Sequence, residues 1–272
     1  VNGNASGIWK ICFFALSVGL LVMIASNVFA KTFKLKAPNQ YFANEKTQFL
    51  LAAALGGNLA EAQRQVTGGA NPNEEGPQSN KYNRLRLLHY AIAARNQRAV
   101  DVLLKVGADP ELIALGYGTA FDFAMTLDDI EMLSFMFDIR AVSTLSYDTV
   151  KTLILEAVST NRPRCLELII KRGVPVDLPD SAGYTAMMRA IDAQDYEMAE
   201  WLLLQGASVH IVAKSGMTPA YSIEYDLRKY KIDSPSYKKV QHLMKLMQER
   251  GAKFPATAPA EMREKRANAQ AL

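Results

Sequence analysis

Cysteine and histidine are scarce in this chain. Two cysteines, Cys12 and Cys165, stand far apart among 272 residues. Cys12 falls in an uncharged leader, so no disulfide within the rest of the chain is implied, and zinc-site spacings are also missing. Cys165 sits beside Leu166, Leu168, Ile169 and Ile170 and reads as a small core residue. The three histidines, His89, His210 and His242, are isolated in sequence, with His210 and His242 read as surface residues. There is no HExxH, no phosphate-cradling glycine loop with Lys and Ser or Thr, and no GxSxG elbow. These absences leave no catalytic, metal or cofactor site to be expected. Asp192, Asp195, Glu197 and Glu200 suggest an acid/base pair on paper, but on short exposed helices they read as a solvated face.

What remains is the composition of an ordered chain: 49% hydrophobic, 21% charged, net charge +4. Residues 183–210 read as two short helices and a turn. Thr185 is expected to accept a backbone N–H at the start of the first helix. Met187, Met188, Ala190 and Ile191 supply its apolar stripe. A second run from Tyr196 carries Met198, Trp201, Leu202 and Leu203 and stops at Gly206, suited to a left-handed cap. Neither helix is long enough to persist alone in water. Such a pair needs neighbours, and copies follow at a step of 33 residues: Gly206, Gly173, Arg140, Gly107. The helix-start threonines Thr119, Thr152, Thr185 and Thr218 keep the step, as do Ala91, Ala124, Ala157 and Ala190. A fixed period of this size marks a stacked array.

At these residues the chain resembles the ankyrin-repeat family. The helix-start motif reads Leu87-Leu88-His89-Tyr90-Ala91, Thr185-Ala186-Met187-Met188 and Met217-Thr218-Pro219-Ala220. The turn motif reads Gly107-Ala108-Asp109 and Gly206-Ala207-Ser208. The resemblance implies an all-α fold, a solenoid of about six helix–turn–helix repeats over residues 46–255; the sequence before it adds the expectation of an N-terminal signal or transmembrane helix. Its structural positions are His89, Gly107, Thr119, Gly173, Thr185, Gly206, Thr218 and Gly251, with His89 making the family's inter-loop hydrogen bond.

Residues 11–30 carry no charge and follow a single Lys10. Two readings stand: a signal peptide cleaved after Ala30, or an uncleaved anchor whose roughly 20 residues just span a bilayer core. Lys31, Lys34 and Lys36 follow the run and argue for a cytoplasmic array, since positive charge prefers that side. Export, cleaved or anchored, is the reading adopted, with the array in the periplasm or on the inner membrane facing it. A bacterial source is expected from the opening Val, which suits an alternative start codon.

Residues 31–45 read as a tether and 256–272 as a mobile or weakly helical tail. Surplus residues over the period fall at Glu74–Arg84, giving a long first loop, and near Leu227–Lys239, placed between the two helices of the last repeat. Arg95 and Arg140 replace glycines of the pattern, and Pro163 is expected to start a second helix. Tyr225, Arg228, Lys229, Tyr230, Lys231, Tyr237, Lys238 and Lys239 form one basic, aromatic cluster. It is read as a solvated loop ahead of an acidic protein partner or of nucleic acid, which is not an expected partner.

In the resembling family a partner lies against loop tips and the inner faces of first helices. The tips expected here give Tyr82, Arg84, Tyr117, Asp180, Tyr184 and Lys214 as partner-binding residues. Tyrosine and arginine commonly dominate such interfaces, although Tyr82 and Tyr184 equally suit packing between loops. The function expected is a non-catalytic module, monomeric when free, that holds one protein partner. Small bacterial ankyrin arrays with a leader resemble immunity proteins that neutralise antibacterial (type VI-type) effectors, so a cognate toxin such as a periplasm-acting lipase is one expected partner. An envelope scaffold or stress-protection role without a toxin is the alternative.

Overall fold

The computed structural model describes residues 33–270. The signal-peptide or anchor reading of residues 1–30 lies outside the described residues, as does Cys12. Among the described residues no helix is long and apolar enough to cross a membrane. The structure is helical apart from one two-residue β ladder and an isolated bridge, and it divides into two compact units, one ending at Phe135 and the other beginning at Met136.

The first unit holds α1 (Glu45–Leu55), α2 (Leu59–Thr67), the strands β1 (Glu75–Gly76) and β2 (Leu85–Arg86), α3 (Leu87–Ala93), α4 (Gln97–Lys105), α5 (Ala120–Thr126) and the start of α6 (Ile130–Ile139). Helices pack pairwise, α1 on α2 and α3 on α4, and successive pairs meet through α1 and α2 on α4 and through α3 on α5. The second helix of each pair opens on an Asx cap: Asn58 accepts from Glu61 N, Asn96 from Ala99 N and Asp129 from Met132 N. Each cap satisfies an amide that the helix itself leaves free. Asn96 also donates to the carbonyl of Leu55 at 3.0 Å, tying one pair to the previous one.

The second unit holds the rest of α6, then α7 (Tyr147–Ser159), α8 (Pro163–Lys171), α9 (Ala186–Asp192), α10 (Tyr196–Leu204), α11 (Pro219–Leu227), α12 (Pro235–Glu249) and α13 (Pro259–Gln270). First helices pack in the row α7, α9, α11, and α10 packs on α12. The small residues do what their spacing implied. Ala91, Ala124, Ala157 and Ala190 are all fully buried, where a larger side chain would hold neighbouring helices apart.

Several expectations are corrected. The tether is part of the first unit: Phe42 is fully buried, Tyr41 and Phe42 pack against Tyr90, and the Tyr90 hydroxyl donates to the Lys36 carbonyl at 2.9 Å. Thr152 starts nothing, because α7 begins at Tyr147 with Ser146 as its cap, placing Thr152 inside the helix. Thr185 makes no cap hydrogen bond. Its hydroxyl is buried without a partner. The surplus near Leu227–Lys239 is loop only over residues 228–234: Pro235 already opens the long α12, with Ser234 capping Tyr237 N. The tail forms α13, anchored through Ala256 N, which donates to Glu224, and Arg263, which donates to the Ser215 carbonyl.

Candidate functional site

Two sets of loop tips carry the expected partner-binding residues, one in each unit. In the second unit Asp180 builds a closed turn. Its carboxylate accepts from the amides of Ala182 (2.8 Å) and Tyr184 (2.9 Å), and its own amide donates to the Tyr184 carbonyl. Gly183 at φ 86° lets the next loop come close. A Cβ there would stand 3.1 Å from the Ala213 Cα, and Lys214 N donates to the Ala182 carbonyl at 2.8 Å. Arg189 on α9 reaches back to pair with Asp180, and its guanidinium lies over the Tyr184 ring, 4.4 Å from the centroid. The Tyr184 hydroxyl is 3.4 Å from Ser215 Oγ. Burial works to raise the Asp180 carboxyl, but Arg189 and the two amides outweigh it and leave the group below the ordinary aspartate range. The result is a pre-ordered platform of Tyr184, Arg189, Lys214 and Ser215. One side of the Lys214–Met217 tip is covered: a Cβ at Gly216 would collide with the Pro259 carbonyl, where α13 starts.

In the first unit the tips are held differently. β1 and β2 pair Glu75 with Arg86 and Gly76 with Leu85. Arg86 then forks, donating to the Asn73 carbonyl (2.6 Å) and twice to the Ile113 carbonyl (3.1 and 2.9 Å). Leu115 N donates to Glu75 Oε1 at 2.7 Å, and the Leu115 carbonyl accepts from Arg84 N at 2.9 Å. The Arg84 side chain closes its own loop, donating to the Asn80 carbonyl at 2.7 Å and lying 3.8 Å from Glu75. Tyr117 packs edge-on to Phe33 and Phe123. Arg84 and Tyr117 are thus engaged within the unit, whereas Tyr82 is 78% exposed. Beside it Ile113, Leu115 and Leu112 are 68%, 40% and 36% exposed, a cluster that the sequence reading passed over.

The structural positions fall as follows. His89 Nε2 stands 3.1 Å from the Gly118 carbonyl, and burial pulls the imidazole down to about 4. Thr119 forms a capping box with Asp122. Thr218 caps α11 through Tyr221 N. Gly107, Gly173, Gly206 and Gly251 all take positive φ, between 94° and 98°. A link not foreseen recurs in both units: Asn73 accepts from Asp109 N, and Asp177 accepts from Ser208 N at the same place in its repeat. Both side chains are Asx acceptors four residues past a turn glycine, which is the one sequence signal that would have found them.

The acidic face of α10 is also more than solvated. Asp195 caps Met198 N, Glu197 pairs with Lys239 at 2.8 Å, and Glu200 lies 3.4 Å from His242, joining α10 to α12. The basic cluster is threaded with these and other carboxylates: Arg228 pairs with Glu224 and Lys229 with Asp226. Asp226 is buried and accepts from Tyr196, whose hydroxyl meets Tyr230 at 2.9 Å. Burial and that contact push the Tyr196 phenol far up. Among the described residues no group of His, Cys, Asp and Glu is placed to hold a metal ion.

Residues 121–213 match the family model for ankyrin repeats in three copies. The chain is similar to the nuclear factor NF-kappa-B p105 subunit of Gallus gallus, 30% identical over 139 residues, which covers 49% of this chain and 14% of that protein. It is also similar to the putative ankyrin repeat protein FPV034 of Fowlpox virus (strain NVSL), 24% identical over 139 residues, 51% of this chain and 32% of that protein. The matched part is a third or less of either relative's length. Among solved structures, the ankyrin repeat domain of Bcl-3 superposes with a TM-score of 0.57 at 22% identity, covering 78% of this chain and 90% of that one. The ankyrin repeat protein EF0377 gives 0.50 at 18% identity, covering 73% and 97%. At these identities the likeness is one of fold.

Proposed function

With an ankyrin-repeat fold as the premise, we propose that this protein is a non-catalytic module that captures one protein partner. Ankyrin repeats are in general protein-interaction modules, and the contact surface proposed here is the platform of Tyr184, Arg189, Lys214 and Ser215. The observation that carries it is the ordering of Tyr184 before any partner arrives. The ring is held by Arg189 and Ser215 on a turn closed by Asp180, so little side-chain freedom is lost on binding. Tyr184 is half-buried in its turn, Tyr82 is an exposed tyrosine at a loop tip of the first unit, and Arg84 and Tyr117 support their loops.

The finer reading places this module on the outer side of a bacterial inner membrane, held by residues 11–30, with a cognate toxin as its partner. Support comes from the uncharged run before the array and from a surface built for one macromolecule. Inhibition would be steric, with the loop tips covering the toxin's active site. The test is protection. Cells making the full chain should survive a toxin encoded beside it, and Tyr184→Ala with Lys214→Glu should abolish that survival while the variant stays folded. Undiminished protection by the double variant would sink the platform. An envelope defect in the deletion strain without any attacker would favour the scaffold reading instead.

A further inference from the structure

The exposed aliphatic tip of the first unit is not explained by the platform on the second. Leu112, Ile113 and Leu115 face solvent while Ala114 between them is fully buried. The loop does not fold back to hide them, because its backbone is fixed from below. Arg86 holds the Ile113 carbonyl from two nitrogens, Glu75 holds Leu115 N, and Ala114 N donates to the Gly118 carbonyl. Gly116 at φ 82° packs against the backbone of Tyr82, which brings that ring to the rim with the exposed Lys81. The composition is a centre of leucine and isoleucine with a tyrosine and a lysine at the edge. Aromatic anchors and arginine, which mark protein hot spots, are missing from its centre. Aliphatic centres rimmed by tyrosine and lysine suit the boundary between lipid headgroups and acyl chains.

The course of the chain names the occupant. Phe33 packs edge-on to Tyr117, two residues past Leu115, with the ring centroids 6.0 Å apart. The uncharged run of residues 11–30 ends three residues before Phe33, a distance the chain covers in at most about 11 Å. Lys34 and Lys36, both exposed, lie at the same entry. We propose that the Leu112–Leu115 tip dips into the lipid bilayer interface beside the point where residues 11–30 enter the membrane. This rests on the anchor reading of that run. Its consequence is orientation: the first unit is held by two points, the anchor and the tip, instead of swinging on one.

The test uses the full chain in phosphatidylethanolamine–phosphatidylglycerol vesicles. Cys12→Ser removes the leader thiol, and Cys165 is buried. An environment-sensitive fluorophore is then placed through Ile113→Cys, or through Ala94→Cys at the opposite end of α3 as the control. The expected result is a blue-shifted probe at residue 113, quenched several-fold more by nitroxide lipids than the probe at residue 94. Equal, water-like signals from both positions on chains that float with the vesicles would overturn the tip while leaving the anchor standing. Chains that do not float at all would remove anchor and tip together. A residue-113 probe that stays in water until a protein partner is added would give the tip to that partner and also overturn the proposal.

Discussion

His89 Nε2 donates to the carbonyl of Gly118 across 29 residues of sequence, with the ring fully enclosed against Phe123. The neutral ring is the form this site accepts, since burial pulls its pKa to about 4. Below an unfolded value near 6.5 the unfolded chain therefore binds a proton that the folded chain refuses. Stability is full above about pH 6.5 and falls as pH drops towards 4, by up to about 3 kcal/mol. Carboxyls held low by their partners, Asp180 and Glu224 among them, withdraw stability only at more acid pH. Denaturant unfolding between pH 4.5 and 7 should show this slope, and His89→Gln should flatten it. An unchanged slope in the variant would place the titrating group elsewhere.

Two threonines at one repeat position separate a useful hydroxyl from an idle one. Thr119 donates to Asp122 and accepts from its amide, whereas the Thr185 hydroxyl is buried without a partner. Thr119→Val should cost about 1–2 kcal/mol, because both the cap and a buried carboxylate contact are lost. Thr185→Val should be neutral or slightly stabilising, because it removes an unpaired buried polar group. Unfolding midpoints compared side by side decide it.

Left-handed backbone falls on glycine after the second helix of a pair, as at Gly206, and on a non-glycine residue between the two helices, as at Gln194. Gly206 at φ 98° has open space around its missing Cβ, so Gly206→Val should cost roughly 1–2 kcal/mol through backbone strain alone. Gln194 at φ 60° sits between α9 and α10 with a side chain in the strained region. Gln194→Gly should raise stability by about 0.5–1 kcal/mol, relief of strain exceeding the added freedom of the unfolded chain. A destabilised Q194G would mean that the side chain contributes more than its backbone costs.

Tyr184→Ala and Arg84→Ala should behave differently, although both were expected from sequence to be contacts. Tyr184→Ala should weaken partner binding about 10-fold or more, the range of an interface anchor, with thermal unfolding nearly unchanged. Arg84→Ala should lower the unfolding temperature of the first unit, because it removes the links to Asn80 and Glu75. Titration calorimetry with the captured partner, read beside calorimetric scans, separates the two roles. Equal effects on binding with no effect on melting would restore Arg84 to the contact surface.

The repeat step, the small residues inside first helices and the turn glycines were legible because they are local: helix length, close packing and positive φ each demand a residue type at a fixed offset. Thr152 and Thr185 kept the step without keeping the cap. A cap needs an amide at the right distance from the hydroxyl: the helix start lies at Ser146 in one case, and in the other the Thr185 hydroxyl makes no bond to the helix amides. Tether and tail were misread for a related reason. Phe42 and the Arg263 contact with Ser215 find their partners far away in sequence, and no periodicity records that.

Sequence alone determined that the chain would be a series of paired helices, since modules this short fold only by covering one another's apolar faces. The tertiary structure decided which side chains at the loop tips are free. Arg84 and Tyr117 are consumed by their own unit, Tyr184 is set in place by Arg189, and Ile113 is left outside. That choice combines contacts within a loop with others between loops, Arg84 N on the Leu115 carbonyl, Arg86 on the Ile113 carbonyl and Tyr184 beside Ser215, whose distances exist only once the helices are stacked.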